Sequence, residues 1–126
     1  MKNIVISFLI FVCMVFGMIY STRYMTSVCN NLLDKNSKLE KIIKAESWDN
    51  GYNTSVNLLN TWEKEYDKLT IFVHHEKIDA INNELLQLTQ YVKCHDKSES
   101  LAKIHVIKTY LKNIIDSEKI NMQNIF

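Results

Sequence analysis

His75-Glu76-Lys77-Ile78-Asp79 is the segment of this 126-residue chain whose residue types come nearest to chemistry. Positions four apart share one face of a helix, so His75 and Asp79 would stand side by side there. H-E-x-x-H enzymes use this arrangement to hold zinc, with the intervening glutamate as general base. Here an aspartate stands where that motif has its second histidine. A catalytic zinc also needs a third ligand and an open coordination position, which His74, Cys94, His95 or His105 would have to bring from elsewhere. The simpler reading is a polar helix start, with Glu76 favoured by the positive end of the helix dipole and Asp79 facing solvent or a lysine. Because only half of the motif is matched, no catalytic, cofactor-binding or metal-ligating residue is assigned. A metal-dependent hydrolase using residues 75–79 stands as the alternative function.

The other reactive side chains point to structure as well. Cys94-His95 and His105 lack the C-x-x-C or H-x-x-x-H pairing of a soft-metal site. They also lack the third, orienting group of a cysteine-histidine nucleophile. Cys13 lies inside an apolar run, while Cys29 and Cys94 are the one pair open to a disulfide should the body be exported. Gly17 and Gly51 are the only glycines, too few for a phosphate-cradling loop. Trp48, Tyr52, Trp62, Tyr66 and Phe72 form an aromatic stripe that reads as core, because burying large rings is how a small bundle gains stability. Lys97, Lys103, Lys108 and Lys112 fall away from the apolar face and read as a solvated surface, with anionic lipid or envelope polymer as the other option.

The elements that would carry these residues are helical. There is no proline, and no window alternates as a half-buried strand does. Leu59, Trp62, Tyr66, Leu69 and Val73 recur at 3, 4, 3, 4, and so do Ile78, Ile81, Leu85, Leu88 and Val92. That spacing predicts two helices with one buried face each, joined near His74–Lys77. Ser47 suits an N-cap for a helix from Trp48, and the weak helix formers between Gly51 and Asn57 predict a loose entry. Asp96 and Glu99 read as a capping box opening a last helix, with Leu101, Ile104, Ile107, Leu111 and Ile114 or Ile115 buried. Asp116-Ser117-Glu118 is expected to end it, leaving a tail from Ile120 with Met122, Ile125 and Phe126 as its other apolar residues.

The first 23 residues are of a different kind and hold 16 of the hydrophobic ones. From Asn3 to Thr22 twenty residues are uncharged. As a helix they would span roughly 30 Å, the thickness of a bilayer core. Tyr20 and Tyr24 suit an interfacial belt, and Arg23 marks the end. A cleaved signal peptide would want a shorter apolar core and small residues at the cut, neither of which is present. Residues 1–23 are therefore read as an uncleaved transmembrane anchor, in contact with membrane lipid through residues 4–22. Residues 24–126 are read as a helical bundle domain. Apolar positions continue through Val28, Leu32, Leu39, Ile42 and Ile43, with a stutter at Asn36-Ser37, so the anchor should run on into the body. The fold class expected is all-α: an N-terminal transmembrane helix continuing into a small antiparallel bundle of about four helices. Counting positive charges puts Arg23, Lys35, Lys38 and Lys41 in the cytoplasm, whereas the Met-Lys start followed at once by the apolar helix has the layout of a bacterial signal anchor. The second argument sets the expectation of an extracytoplasmic body.

Fifteen Lys and Arg against fourteen Asp and Glu leave a net charge of +1, which argues against a nucleic-acid partner. Several features together form a recognisable layout: the Met-Lys-Asn-Ile start with one span, Trp48 and Trp62 fourteen apart, His75-Glu76-x-Ile78-Asp79, Tyr91-Val92 before Asp96, and the Asn124-Ile125-Phe126 ending. It resembles a family of short single-span proteins from spore-forming Gram-positive anaerobes, domain of unknown function 4363. The resemblance implies a membrane-tethered all-helical protein with no assigned activity, cofactor or catalytic residue. It also implies an accessory role near small integral membrane proteins and a shared role for His75 and Asp79. The function expected is thus a membrane-anchored, non-enzymatic interaction module at the cell surface, whose partner is a protein, with integral membrane proteins the first candidates.

Overall fold

The computed structural model describes the backbone of residues 1–125 and the side chains of residues 1–120 and 123. Four helices account for nearly all of it: α1 (Lys2–Lys44), α2 (Trp48–Phe72), α3 (His75–Lys93) and α4 (Lys97–Ile125). There is no strand among the described residues. Each helix packs on its chain neighbours, and α4 closes the ring by packing on α1. Short turns make neighbours antiparallel, giving an up-down-up-down four-helix bundle. The first helix is itself one of the four walls. It has no break between the apolar stretch and the bundle.

The buried positions explain the packing. On α1 they are Met25, Cys29, Leu32, Asn36, Leu39 and Ile43, a strict 4, 3, 4, 3, 4 progression. Helix α3 buries Ile78, Ile81, Leu85, Leu88 and Val92 as its spacing predicts. Helix α4 buries Ser100, Ile104, Ile107, Leu111, Ile114 and Ile115. A narrow seam repeating every seven residues on each helix favours small crossing angles of the coiled-coil kind.

Four expectations need correcting. Asn36-Ser37 is no stutter, since Asn36 occupies a core position and its amide Nδ2 donates to the Ile104 carbonyl of α4 at 2.9 Å. The entry to α2 is not loose either. Gly51 and Ser55 are buried on the α2 seam, where a Cβ on Gly51 would lie 3.0 Å from Ile43 Cδ1. Small residues here let α2 approach α1 and α3, and tertiary packing overrides their weak propensity. The α2 seam then runs through Leu58, fully covered, and leaves Leu59 at its partly buried edge. Finally, α4 does not stop at residues 116–118; it continues to Ile125 alongside α1, with Ser117 and Glu118 partly buried. The expected apolar tail at Met122, Ile125 and Phe126 lies outside the described side chains.

The turns are made without glycine. After α1 the N–H of Glu46 bonds the Ile43 carbonyl and that of Ser47 the Ile42 carbonyl, a Schellman ending with Glu46 at φ 57°. The end of α3 repeats it: His95 bonds Val92, Asp96 bonds Tyr91, and His95 sits at φ 58°. Asp96 then caps α4, its Oδ1 accepting from the Glu99 N–H at 3.1 Å. Its own N–H goes to Tyr91, so only the forward arm of the capping box forms. Ser47 holds the N-cap position of α2 as expected, but its side chain makes no cap bond.

At the other end of α1 the surroundings change. Residues 1–11 are exposed throughout, including Phe8, Leu9, Ile10 and Phe11. Helix α1 is the one helix among the described residues long and apolar enough to cross a membrane.

Candidate functional site

Two clusters of chemistry-bearing side chains form, one at each end of the bundle. At the end nearer the apolar stretch, α2 runs into α3 through Val73 and His74 alone. That tight connection folds Tyr66 back across the first turn of α3. Its hydroxyl donates to Asp79 Oδ1 at 2.6 Å, and His75 Nε2 lies 3.1 Å from Asp79 Oδ2. The Tyr66 and His75 rings meet edge to face, 6.3 Å between centroids. The hydrogen bond to Asp79, then burial, pushes the Tyr66 hydroxyl above its ordinary range.

His75 and Asp79 thus do share a helical face, as the spacing requires. Both carboxylate oxygens of Asp79 are engaged with protein groups. Cys94 and His95 lie at the far end of α3, His105 is exposed on α4, and His74, exposed in the turn next to His75, joins no ligand group there, so the additional ligand is not brought to residues 75–79. No group of three or more His, Cys, Asp or Glu placed to hold a metal forms among the described residues. What the cluster does is fasten the α2–α3 corner: one aspartate accepts from a residue of each helix. Tyr66, expected in the core as part of the aromatic stripe, is the third member. Folding the two apolar runs about Val73-His74 places residues 66 and 79 at similar distances from the turn, which was the available signal.

The far cluster joins the other two turns. The His95 ring stacks on Trp48 with centroids 5.1 Å apart and planes 7° from parallel. Lys97 Nζ reaches Glu46 Oε1 at 3.6 Å. Both positive-φ residues therefore lie in contacts between the α1–α2 and α3–α4 turns. Cys94 is free and exposed beside them, while Cys29 is free and buried among α1's core positions. Burial, with a smaller contribution from Glu118, pushes the Cys29 thiol up to about 12.

Between the clusters the aromatic stripe divides. Trp62 is completely covered, Trp48, Tyr52 and Tyr66 pack against the core from its rim, and Phe72 is exposed. Of the α4 lysines, Lys103 pairs with Glu84 of α3 at 3.0 Å in a largely screened position, and Lys112 is exposed. One groove of about 270 Å³ lies between α3 and α4, lined by Glu76, Lys77, Ala80, Ile81, Tyr110 and Ile114 among others.

The chain matches the family Domain of unknown function (DUF4363) over residues 19–125, and it belongs to that family. The match takes in the whole bundle and begins inside the last turns of the apolar stretch. No curated protein and no solved structure matches the chain.

Proposed function

We propose that this member of the DUF4363 family is a non-enzymatic, single-pass membrane protein whose helical body is displayed outside the cytoplasm to a protein partner. The observation that carries the reading is the single helix α1, bare and apolar through residues 1–11 and fully engaged in the core from Met25 onward. A bundle mounted directly on such a helix has its outer faces and its far end to offer. Binding to another protein is the function those surfaces serve best. The mutual bonding of Tyr66, His75 and Asp79 supports a structural use of the residues nearest to a metalloenzyme pattern.

Affinity capture of the full chain from detergent extracts, at near-native expression and followed by mass spectrometry, tests the reading. A stoichiometric protein that is lost on substituting exposed residues of the bundle is the expected result. Recovery of the chain alone counts against it. Metal content measured on the same preparation addresses the hydrolase alternative: stoichiometric zinc lost in His75→Ala would displace the interaction reading.

A further inference from the structure

Among the described residues the bundle has few large apolar side chains in the open, and three of them gather at one end. Ile71 is 75% exposed and Phe72 41% at the C-terminus of α2, and Ile120 is 57% exposed on α4. Their height along the bundle follows from side-chain contacts between helices. Tyr24 of α1 bonds Glu65 of α2, and Lys68 Nζ lies 5.9 Å from the Tyr24 ring centroid. Helix α2 runs antiparallel to α1, so Phe72, a turn beyond Lys68, lies level with the last turns of the apolar stretch, near Gly17–Ser21. On the opposite side, Lys119 lines one surface depression with Thr22 and Arg23, which puts Ile120 at the same height.

We infer that the α2–α3 corner, with Ile71 and Phe72, and Ile120 of α4 are seated in the lipid interface beside the span, giving the bundle a second, peripheral contact with its own membrane. The inference rests on the anchor reading of residues 4–22. If those residues cross the bilayer, side chains level with residues 17–22 meet the boundary between headgroups and acyl chains. Amphipathic segments settle at that boundary with the apolar face down. Charge does not supply the attraction. Arg23, Lys68, Lys77 and Lys119 at this end are accompanied by Asp67, Glu76, Asp116 and Glu118. The apolar side chains carry the contact, and a zwitterionic phosphatidylcholine surface with no net charge suffices. The Tyr66–Asp79–His75 fastening acquires a purpose here, since it holds the corner in shape where it meets the lipid.

The test uses the full chain reconstituted in phosphatidylcholine vesicles, with single tryptophans added as reporters and lipid brominated near the headgroup end of its acyl chains as quencher. The native Trp48 at the far end and Trp62 in the core set the baseline. In Phe72→Trp and Ile120→Trp the added emission is blue-shifted and loses most of its intensity to the brominated lipid. Leu86→Trp is the control, because Leu86 is exposed to a matching 43% but lies about 17 Å farther along α3; its emission stays red and unquenched. Leu9→Trp reports on the span itself and is quenched by lipid brominated deep in the chains. Quenching at Leu9→Trp without quenching at Phe72→Trp and Ile120→Trp overturns the inference and leaves the anchor standing. A blue shift at Phe72→Trp that brominated lipid does not touch assigns the corner to a protein cover and overturns it too. So does equal quenching at Leu86→Trp, which means a bundle lying on its side. Leu9→Trp left unquenched removes the anchor, and this contact with it.

Discussion

Trp62 and Cys29 show how far a single buried side chain commits this protein. Trp62 is wholly covered in the middle of the α2 seam, and a bundle of about a hundred residues cannot collapse around a gap of that size. Trp62→Ala is expected to cost about 3–5 kcal/mol and to lower the melting temperature of the full chain in detergent by at least about 10 °C, read by circular dichroism. Loss of a partner with an unchanged melt would mean that the indole is a recognition surface. Cys29 answers to pH. Its thiol holds its proton up to about 12 when folded, against an ordinary value of 9.0. Above the ordinary value the unfolded chain releases a proton that the folded chain retains. Stability is therefore complete below about 9 and falls as pH rises towards 12, by at most about 1.4 kcal/mol per unit from this group. Cys29→Ala removes that contribution, so its melting temperature should decline less steeply than the parent's across the same alkaline range. Parallel slopes would show that the thiol is not shielded.

At the scale of elements, the helix ends and one buried amide are the places to intervene. Glu46 holds a left-handed conformation that glycine adopts without penalty, at the C′ position where glycine is usual. Glu46→Gly should raise stability by about 1 kcal/mol, a gain of several degrees in a thermal melt, even though it removes the ion pair with Lys97. His95→Gly should not share the benefit in full, because it also removes the stack on Trp48. Asn36 poses a different question, since its Nδ2 has a partner in Ile104 and its Oδ1 has none among the described residues. Asn36→Leu is expected to leave the melting temperature unchanged or higher, whereas Asn36→Asp, placing a charge there, should lower it sharply. A large drop for Asn36→Leu would show that the amide contributes through more than its one bond. These positions also mark how much of the architecture could be read in advance. The seam of α3 and the start of α4 were legible because isoleucine, leucine and valine recur at helical spacing and Asp96 caps. The α2 entry was not, because Gly51 and Ser55 face the core for being small, and a hydropathy pattern registers only what is large. Asn36 was misread for the related reason that a polar residue in the seam looks like its interruption. In the candidate site His75 and Asp79 were paired correctly by spacing, while Tyr66 entered only through the tightness of the turn.

For the whole molecule, the proposed anchor sets the bundle on one side of a bilayer, and the three cysteines are placed to read which side that is. Cys94 is exposed at the end farthest from the apolar stretch, Cys29 is enclosed, and Cys13 belongs to the stretch itself. In the proposed extracytoplasmic orientation, a membrane-impermeant maleimide applied to intact cells after mild reduction should label Cys94 alone. Labelling only after lysis would place the body in the cytoplasm. The continuity of α1 has a mechanical meaning as well. From Tyr24 to Lys44 the helix rises about 30 Å, and no hinge of glycine or proline lies along that length. With residues 4–22 across the bilayer, as proposed, the Trp48–His95 end is held at a set altitude, as on a mast. A partner of the proposed kind would have to bring its surface to that height, and a load applied there would reach the proposed span through one continuous helix.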